Sequence, residues 1–377
     1  MSQTRTGTTP PAVTRPVLDY DGTIGELYAL FLKNLLLTVV TLGFYRFWAI
    51  TSTRRYLWSH TRFEGTRFTY TGTGKELFLG FLIAMGLLFL VVSLVIGLIV
   101  GLMMIHPLLA VLAVFLIIPL YVLLFVLFGA ARYSAQRYRL SRTEWRGLRG
   151  GMTGSALAYG LAMLLYTLGV IFTLYQLVPW MQVGLARRRI NASQFGAASF
   201  HFEGRGGTLY PAWLATLAGL VLLMGLVGGV CSALTWDALE PLMNNQLTGW
   251  RRDSALVEIG LVFLAGFFVF SLLGGFVAIW YWTRTLRLIM GNTALDGLRF
   301  SSIATPGGMF RLLIGNGLIL LLTAGLGLPV VLHRSMRFLA RTARMSGQID
   351  PATLAQSSLA RPRTGEGWLQ MLDPGII

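Results

Sequence analysis

Apolar residues run in long blocks along this chain, and polar ones gather between the blocks. Seven apolar segments emerge, roughly 27–49, 77–105, 107–131, 153–181, 209–235, 255–283 and 309–333. Several exceed the run of about 18 apolar residues that marks a membrane helix. His106-Pro107 predicts a tight turn between the second and third, and Pro119 predicts a kink in the third. The connection DALEPLMNNQLTGWRRDS nearly balances acids and bases, whereas the other connections are strongly basic.

The basic connections share a pattern. RRYLWSHTRFEGTRF (54–68), QRYRLSRTEWRGLRG (136–150) and LRLIMGNTALDGLRF (286–300) align on a threonine. The alignment pairs Arg55, Thr61, Phe63, Gly65 and Arg67 with Arg137, Thr143, Trp145, Gly147 and Arg149, and with Arg287, Thr293, Leu295, Gly297 and Arg299. A fainter copy has Arg187, Ser193 and Phe195. A second box, YDGTIGELY (20–28), YTGTGKELF (70–78) and FEGRGGTLY (202–210), keeps an aromatic, a glycine two residues on, then leucine and an aromatic. Before it, Phe68-Thr69-Tyr70 and Phe200-His201-Phe202 alternate apolar and polar, the period of a short strand. Inside the apolar segments, Asn34, Thr41 and Gly43 recur as Asn316, Thr323 and Gly325. Segment four offers Thr167 and Gly169, with Gly160 where the asparagine would fall.

Composition changes the picture in two ways. Of 377 residues, 55% are hydrophobic and only 12% charged, against about 25% charged in soluble domains. This is the composition of an all-α polytopic membrane protein. The net charge of +16 sits at the ends of apolar segments, which points to topology and lipid contact rather than nucleic acid. The lone Cys231 excludes an intrachain disulfide. Residues 1–16 lack an apolar stretch and read as a disordered tail rather than a signal peptide; 346–377 read as a polar tail. Between them the repeats suggest an internal duplication: 17–150, 151–300, and a partial third copy over 301–345.

Strict alternation of seven spans conflicts with the charges. The loop at 132–149 carries six arginines and the loop at 182–208 carries Arg187, Arg188, Arg189 and Arg205, yet alternation puts them on opposite sides. Two arrangements remain open. Either all seven segments span with an imperfect charge bias, or 27–49, 153–181 and 309–333 re-enter and the other four span. In the second, every basic loop is cytoplasmic and the short strands gather at that interface.

NLLLTVVTLGFYRFW, RRYLWSHTRFEGTRFTYTGTGKELF and FHFEGRGGTLY resemble the YjgN-like family of bacterial inner-membrane proteins, over about 17 to 345. The resemblance implies an inner-membrane location and a helical polytopic fold. It implies no activity, because the family has none established. Arg146 departs from the acid that Glu64 and Asp296 supply at the same place, which puts a shared role for that position in doubt.

No catalytic constellation is legible. His60, His106, His201 and His333 have no paired spacing, and no nucleophile motif or metal spacing occurs. The expectation is a non-enzymatic protein with no cofactor and no metal. Polar groups at membrane depth suggest a pathway or a helix-to-helix glue: Lys33, Asn34, Thr41, Gly43, Thr167, Gly169, Gln176, Glu258, Asn316, Thr323 and Gly325. The arginines at 55, 67, 137, 149, 187, 287 and 299 suit anionic phospholipid headgroups, and Trp48, Trp58, Trp145, Trp180 and Trp282 suit an interfacial aromatic belt. Gly97/Gly101 and Gly225/Gly229 are spaced for close helix approach. The leading expectation is binding or passage of a small solute, ion or lipid at the repeat interface. The alternative is a scaffold that organises anionic lipid without a pathway. Oligomeric state is not legible.

Overall fold

The computed structural model describes residues 14–348. It opens with two short strands, β1 (Arg15–Pro16) and β2 (Asp19–Tyr20). A helical pair follows, α1 (Ile24–Val40) and α2 (Arg46–Ser59), then the hairpin β3 (Thr61–Phe63) and β4 (Thr66–Tyr70). The succession recurs with longer helices: α3 (Gly74–Ile105), α4 (Pro107–Ser141), β5 (Thr143–Trp145), β6 (Leu148–Met152). A short version comes next: α5 (Ala156–Phe172), α6 (Val178–Ala192), β7 (Ser193–Phe195), β8 (Ala198–Phe202). The second long version is α7 (Tyr210–Leu234), α8 (Trp236–Met243) and α9 (Trp250–Gly291), ending in β9 (Thr293–Leu295) and β10 (Leu298–Ser302). The last is α10 (Pro306–Leu322), α11 (Leu328–Thr342) and β11 (Ala343–Ser346).

All eleven strands form one antiparallel sheet in which β2 to β11 neighbour each other in chain order and β11 pairs with β1. Only Val17 and Leu18 separate β1 from β2, so the N-terminal segment closes the sheet into a ring. Arg15 lies opposite Met345 on one edge, and Asp19 lies opposite Arg62 on the other. The same bond marks each junction: the residue after a strand donates its amide to the residue before the next. Asp21, Thr71, Thr153, Glu203 and Ile303 donate to His60, Arg142, Ala192, Asn292 and Thr342, at 2.8–3.1 Å. Each helical excursion therefore leaves the ring and returns to it, which puts every basic box on one side of the helices. Residues 15, 16 and 346, read from sequence as tail, belong to this ring. The rest of that N-terminal tail, up to residue 13, and the C-terminal tail from 349 lie outside the described residues.

Local chemistry explains each change of direction. Thr61, Thr143, Ser193 and Thr293 each donate a hydroxyl to the carbonyl four residues back, at 2.7–2.9 Å. The hydroxyl satisfies a helix-end carbonyl while the backbone turns extended. Two residues then close each hairpin. Glu64-Gly65, Arg146-Gly147 and Asp296-Gly297 all have positive φ, the geometry of a type I′ turn. Conformation, not charge, is what this position shares, so Arg146 is no loss. The second box starts helices: Thr23, Thr73, Ser155 and Thr305 cap the amide three residues on. Its glycine makes room for the preceding aromatic; a Cβ on Gly72 would lie 2.6 Å from the Tyr70 hydroxyl. Its leucine is the anchor, since Leu27, Leu77 and Leu209 are all buried.

The seven expected segments are not seven helices. Among the described residues, four helices are long and apolar enough to cross a membrane: Gly74–Ile105, Ile117–Ser141, Gly206–Leu234 and Trp250–Gly291. Segments one, four and seven are instead paired helices that turn back. Thr41, Thr173 and Thr323 cap those turns. Each hydroxyl donates to the carbonyl four residues earlier and accepts from the amide four residues later. Leu42-Gly43, Leu174-Tyr175 and Ala324-Gly325 then take positive φ. The break expected at Thr167 and Gly169 is thus misplaced. Thr167 lies inside α5 and bonds Met163 O at 2.8 Å, and Thr173 does the turning.

Packing also corrects the glycine and tryptophan readings. Nothing lies near a Cβ built on Gly97, Gly101, Gly225 or Gly229. The close approach is at Gly160, where a Cβ would overlap the Val126 carbonyl oxygen, and at Gly129, where one would lie 2.8 Å from Gly160 Cα. Trp145 is not interfacial but 1% exposed, in the ring's core with Phe63, Leu298 and Met345. Trp48 and Trp180 pack on Gly74 and Gly206, Trp58 donates to Thr143 Oγ1 at 2.9 Å, and Trp282 is exposed. Pro119 lies within α4.

Candidate functional site

The arginines form a belt where the helices meet the ring, and most serve the ring. Arg55, Arg137, Arg187 and Arg287 each donate to a carbonyl 17 residues on, in Gly72, Gly154, Gly204 and Ala304. Each therefore ties the end of one helical excursion to the loop that starts the next. Arg67 and Arg62 converge on Asp21, at 2.6 and 2.8 Å, and Arg15 pairs with Glu64 at 2.5 Å. Arg142 pairs with Glu76 at 2.5 Å. Arg149 is half-buried on β6. Arg299, on β10, is exposed and makes no side-chain bond among the described residues. Of the seven expected headgroup contacts, Arg299 is thus the most open to a headgroup, while Arg55, Arg67, Arg137, Arg187 and Arg287 spend at least one donor on the protein.

The expected pathway residues are spread over the helical pairs. Asn34 is 5% exposed and faces α2, donating to Ser52 Oγ at 2.9 Å and accepting from it at 3.3 Å. Asn316 faces α11 and donates to Ser335 Oγ at 3.2 Å. At the matching place in the middle pair, Tyr166 lies against Gly184, exchanging a polar bond for a large-on-small contact. Thr41, Gly43, Thr323 and Gly325 form turns, and Gly169 accepts from Thr173. Gln176 accepts from Tyr210 at 3.2 Å. Lys33 and Glu258 are exposed, on α1 and α9. Asn34 and Asn316 thus join the helices of their own pairs and Gln176 joins a turn to α7; among the described residues the set does not converge on one cavity.

Two groups escape notice in the sequence. Arg54 is 1% exposed on α2, with Tyr70 under its guanidinium and the Tyr70 hydroxyl 3.4 Å away. Its neighbour Arg55 drew attention as the member that repeats. His333 lies beside Tyr20, ring centroids 5.6 Å apart, with Nδ1 buried and unbonded. Burial and then the nearby Arg337 hold its pKa below the usual histidine value. The folded state therefore binds fewer protons there than the unfolded one, and stability falls as pH drops below about 6.5 toward the lowered value. Glu26 titrates elsewhere: a hydrogen bond from Tyr56 lowers its pKa, so its contribution is lost only below the ordinary carboxylate range. Thermal unfolding in detergent is expected to shift down between pH 7.5 and 5.5, and His333→Leu to flatten that shift. An equal shift in the variant rules His333 out.

A ring of short strands with all its crossovers helical, two of which together hold four helices long enough to span a bilayer among the described residues, defines a polytopic helical membrane protein with one arginine-rich face. The chain belongs to the family described as bacterial protein of unknown function (DUF898), whose model matches residues 15–371. It is similar to inner membrane protein YjgN of Salmonella typhimurium strain LT2, 34% identical over 77 residues, 20% of each chain. The similarity to YjgN of Escherichia coli K12 is 37% over 60 residues, 16% of this chain and 15% of that one. The aligned stretches thus span about a fifth or less of these curated relatives. No solved structure matches.

Proposed function

We propose that the protein is a non-enzymatic, multi-pass inner-membrane scaffold that gathers anionic phospholipid around its ring, with the ring on the cytoplasmic side. One observation carries this reading: every excursion returns to the ring, so the basic boxes share one level directly above apolar helix surface. The far ends of the long excursions hold few bases. Beyond His106 there are Arg251 and Arg252, set against Asp237, Glu240 and Asp253. That asymmetry fits a cytoplasmic ring under the positive-inside rule. The naming of the YjgN relatives as inner membrane proteins agrees with the location. The two asparagines first read as pathway residues bond within their own helical pairs, which favours a scaffold over a solute route.

The test is lipid composition. Protein reconstituted in mixed phosphatidylglycerol and phosphatidylcholine vesicles is extracted in polymer nanodiscs, and the lipids are quantified. Phosphatidylglycerol is expected above its vesicle fraction, with the excess shrinking as salt rises, because the screening length is only about 10 Å at 0.1 M. A nanodisc composition equal to the vesicle's at low salt refutes the proposal.

A further inference from the structure

The arginine belt meets headgroups as a diffuse ring. One place on the molecule is more specific. A groove of about 490 Å³ runs along α5 and α6, lined by Ala158, Leu161, Leu165, Gly169 and Leu177, with Arg188 as its one charged member. Arg188 is exposed and makes no side-chain bond or ion pair among the described residues. Its neighbour Arg187 is tied to Gly204 O at 2.6 Å. Arg188 precedes β7 by five residues, so it sits near the ring, beside the α5 start at Ala158. The groove then runs away from the ring toward the turn that Thr173 caps.

We infer that this groove binds one acyl chain of an anionic phospholipid, with the lipid phosphate on the Arg188 guanidinium. The inference rests on the belt reading and narrows it to a single site. Three features fit that occupant. The lining is apolar apart from Arg188 and the Tyr166 ring, so it suits a hydrocarbon chain and not a soluble anion. From Ala158 to Gly169 the helix rises about 16 Å at 1.5 Å per residue, close to one leaflet of a hydrocarbon core about 30 Å thick. The charge lies at the end nearer the ring, where a headgroup belongs, and a guanidinium fork matches phosphate. Arg187 and Arg189 flank it in sequence, and no acid pairs with any of the three among the described residues, so the local field favours an anion.

The experiment is native mass spectrometry of the full chain in detergent, with dioleoyl phosphatidylglycerol and dioleoyl phosphatidylcholine at equal concentration. Wild type is expected to retain the glycerol lipid preferentially. Arg188→Gln should weaken that retention about five-fold, the effect of roughly one interfacial arginine. Arg252→Gln removes the same charge from the start of α9, away from the ring and outside the belt, and should leave it unchanged. Leu161→Trp, which fills the groove, should lower retention of both lipids. If wild type prefers phosphatidylglycerol and the Arg188 and Arg252 variants behave alike, the groove assignment is overturned while the belt stands. If wild type shows no preference, both are overturned. Displacement of the lipid by inorganic phosphate alone would overturn the acyl-chain assignment.

Discussion

Trp145→Ala is expected to cost about 3–5 kcal/mol of unfolding free energy, measured in mixed detergent micelles. Trp145 is 1% exposed on β5 and meets its neighbours on both sides. Phe63 packs against it edge-on at 5.1 Å, Phe195 lies 6.2 Å away, and its Nε1 donates to Phe63 O at 2.9 Å. Three hairpins thus converge on one indole. The strands are three to five residues long, too short for backbone bonds alone to hold a small sheet. Collapse around the missing ring is resisted because Leu298 and Met345 are already anchored in the same core. Trp145→Phe keeps most of the packing and loses the hydrogen bond, so about 1 kcal/mol is expected. A Trp145→Ala protein that unfolds within 1 kcal/mol of wild type would mean the ring has no cooperative core.

The second large effect is expected at Gly160. Its Cα faces Gly129, and a Cβ there would overlap the Val126 carbonyl oxygen and lie 3.0 Å from Ala130 N. Both obstacles are backbone, so no side-chain rotation relieves them. Gly160→Leu must push α5 off α4, breaking the contact between Tyr133 and Tyr159 at 5.2 Å. Overpacking of this kind costs about 1–3 kcal/mol and occasionally more; with backbone on both sides, about 3 kcal/mol is expected. Gly86→Leu on α3 is the control, because a Cβ there meets open space, and a change within about 0.5 kcal/mol is expected. Equal losses from the two substitutions would show that α4 and α5 are not held by backbone proximity.

Much of this architecture was legible because it is written in residues with unambiguous local chemistry. The threonine and glycine of the basic box mark a helix end and a turn wherever they occur, and the paired-helix segments announced themselves through Thr41 and Thr323. What stayed hidden lacks such chemistry. The last excursion ends in Ala343, Met345 and Gly347, which keep the spacing but lose the hydroxyl and the aromatic. The strands β1 and β2 are two residues each and carry no period. In β6, Gly150 and Gly151 replace the usual strand formers because a Cβ on Gly150 would lie 2.7 Å from Leu140 O. The turn at Thr173 was missed for the opposite reason. Thr167 and Gly169 imitate its lettering six residues early, and Tyr175 takes a positive φ where a glycine was the expected sign. Among the site residues, the repeating arginines are conspicuous because most of them build the ring, while Arg188, which makes no ion pair among the described residues, is one letter in a basic run.

A ring sealed by its own first strand sets a timetable for biogenesis. Arg15 emerges from the ribosome long before Met345, its partner, exists. At about 5–20 residues per second, the N-terminal segment waits on the order of tens of seconds, while four hairpins can add to one another in order of synthesis. Until the final residues arrive, the half-built sheet keeps two unpaired edges, the kind of surface that recruits strands from other chains. Premature termination anywhere before β11 would therefore leave an inserted but unsealed molecule, a natural target for membrane quality control.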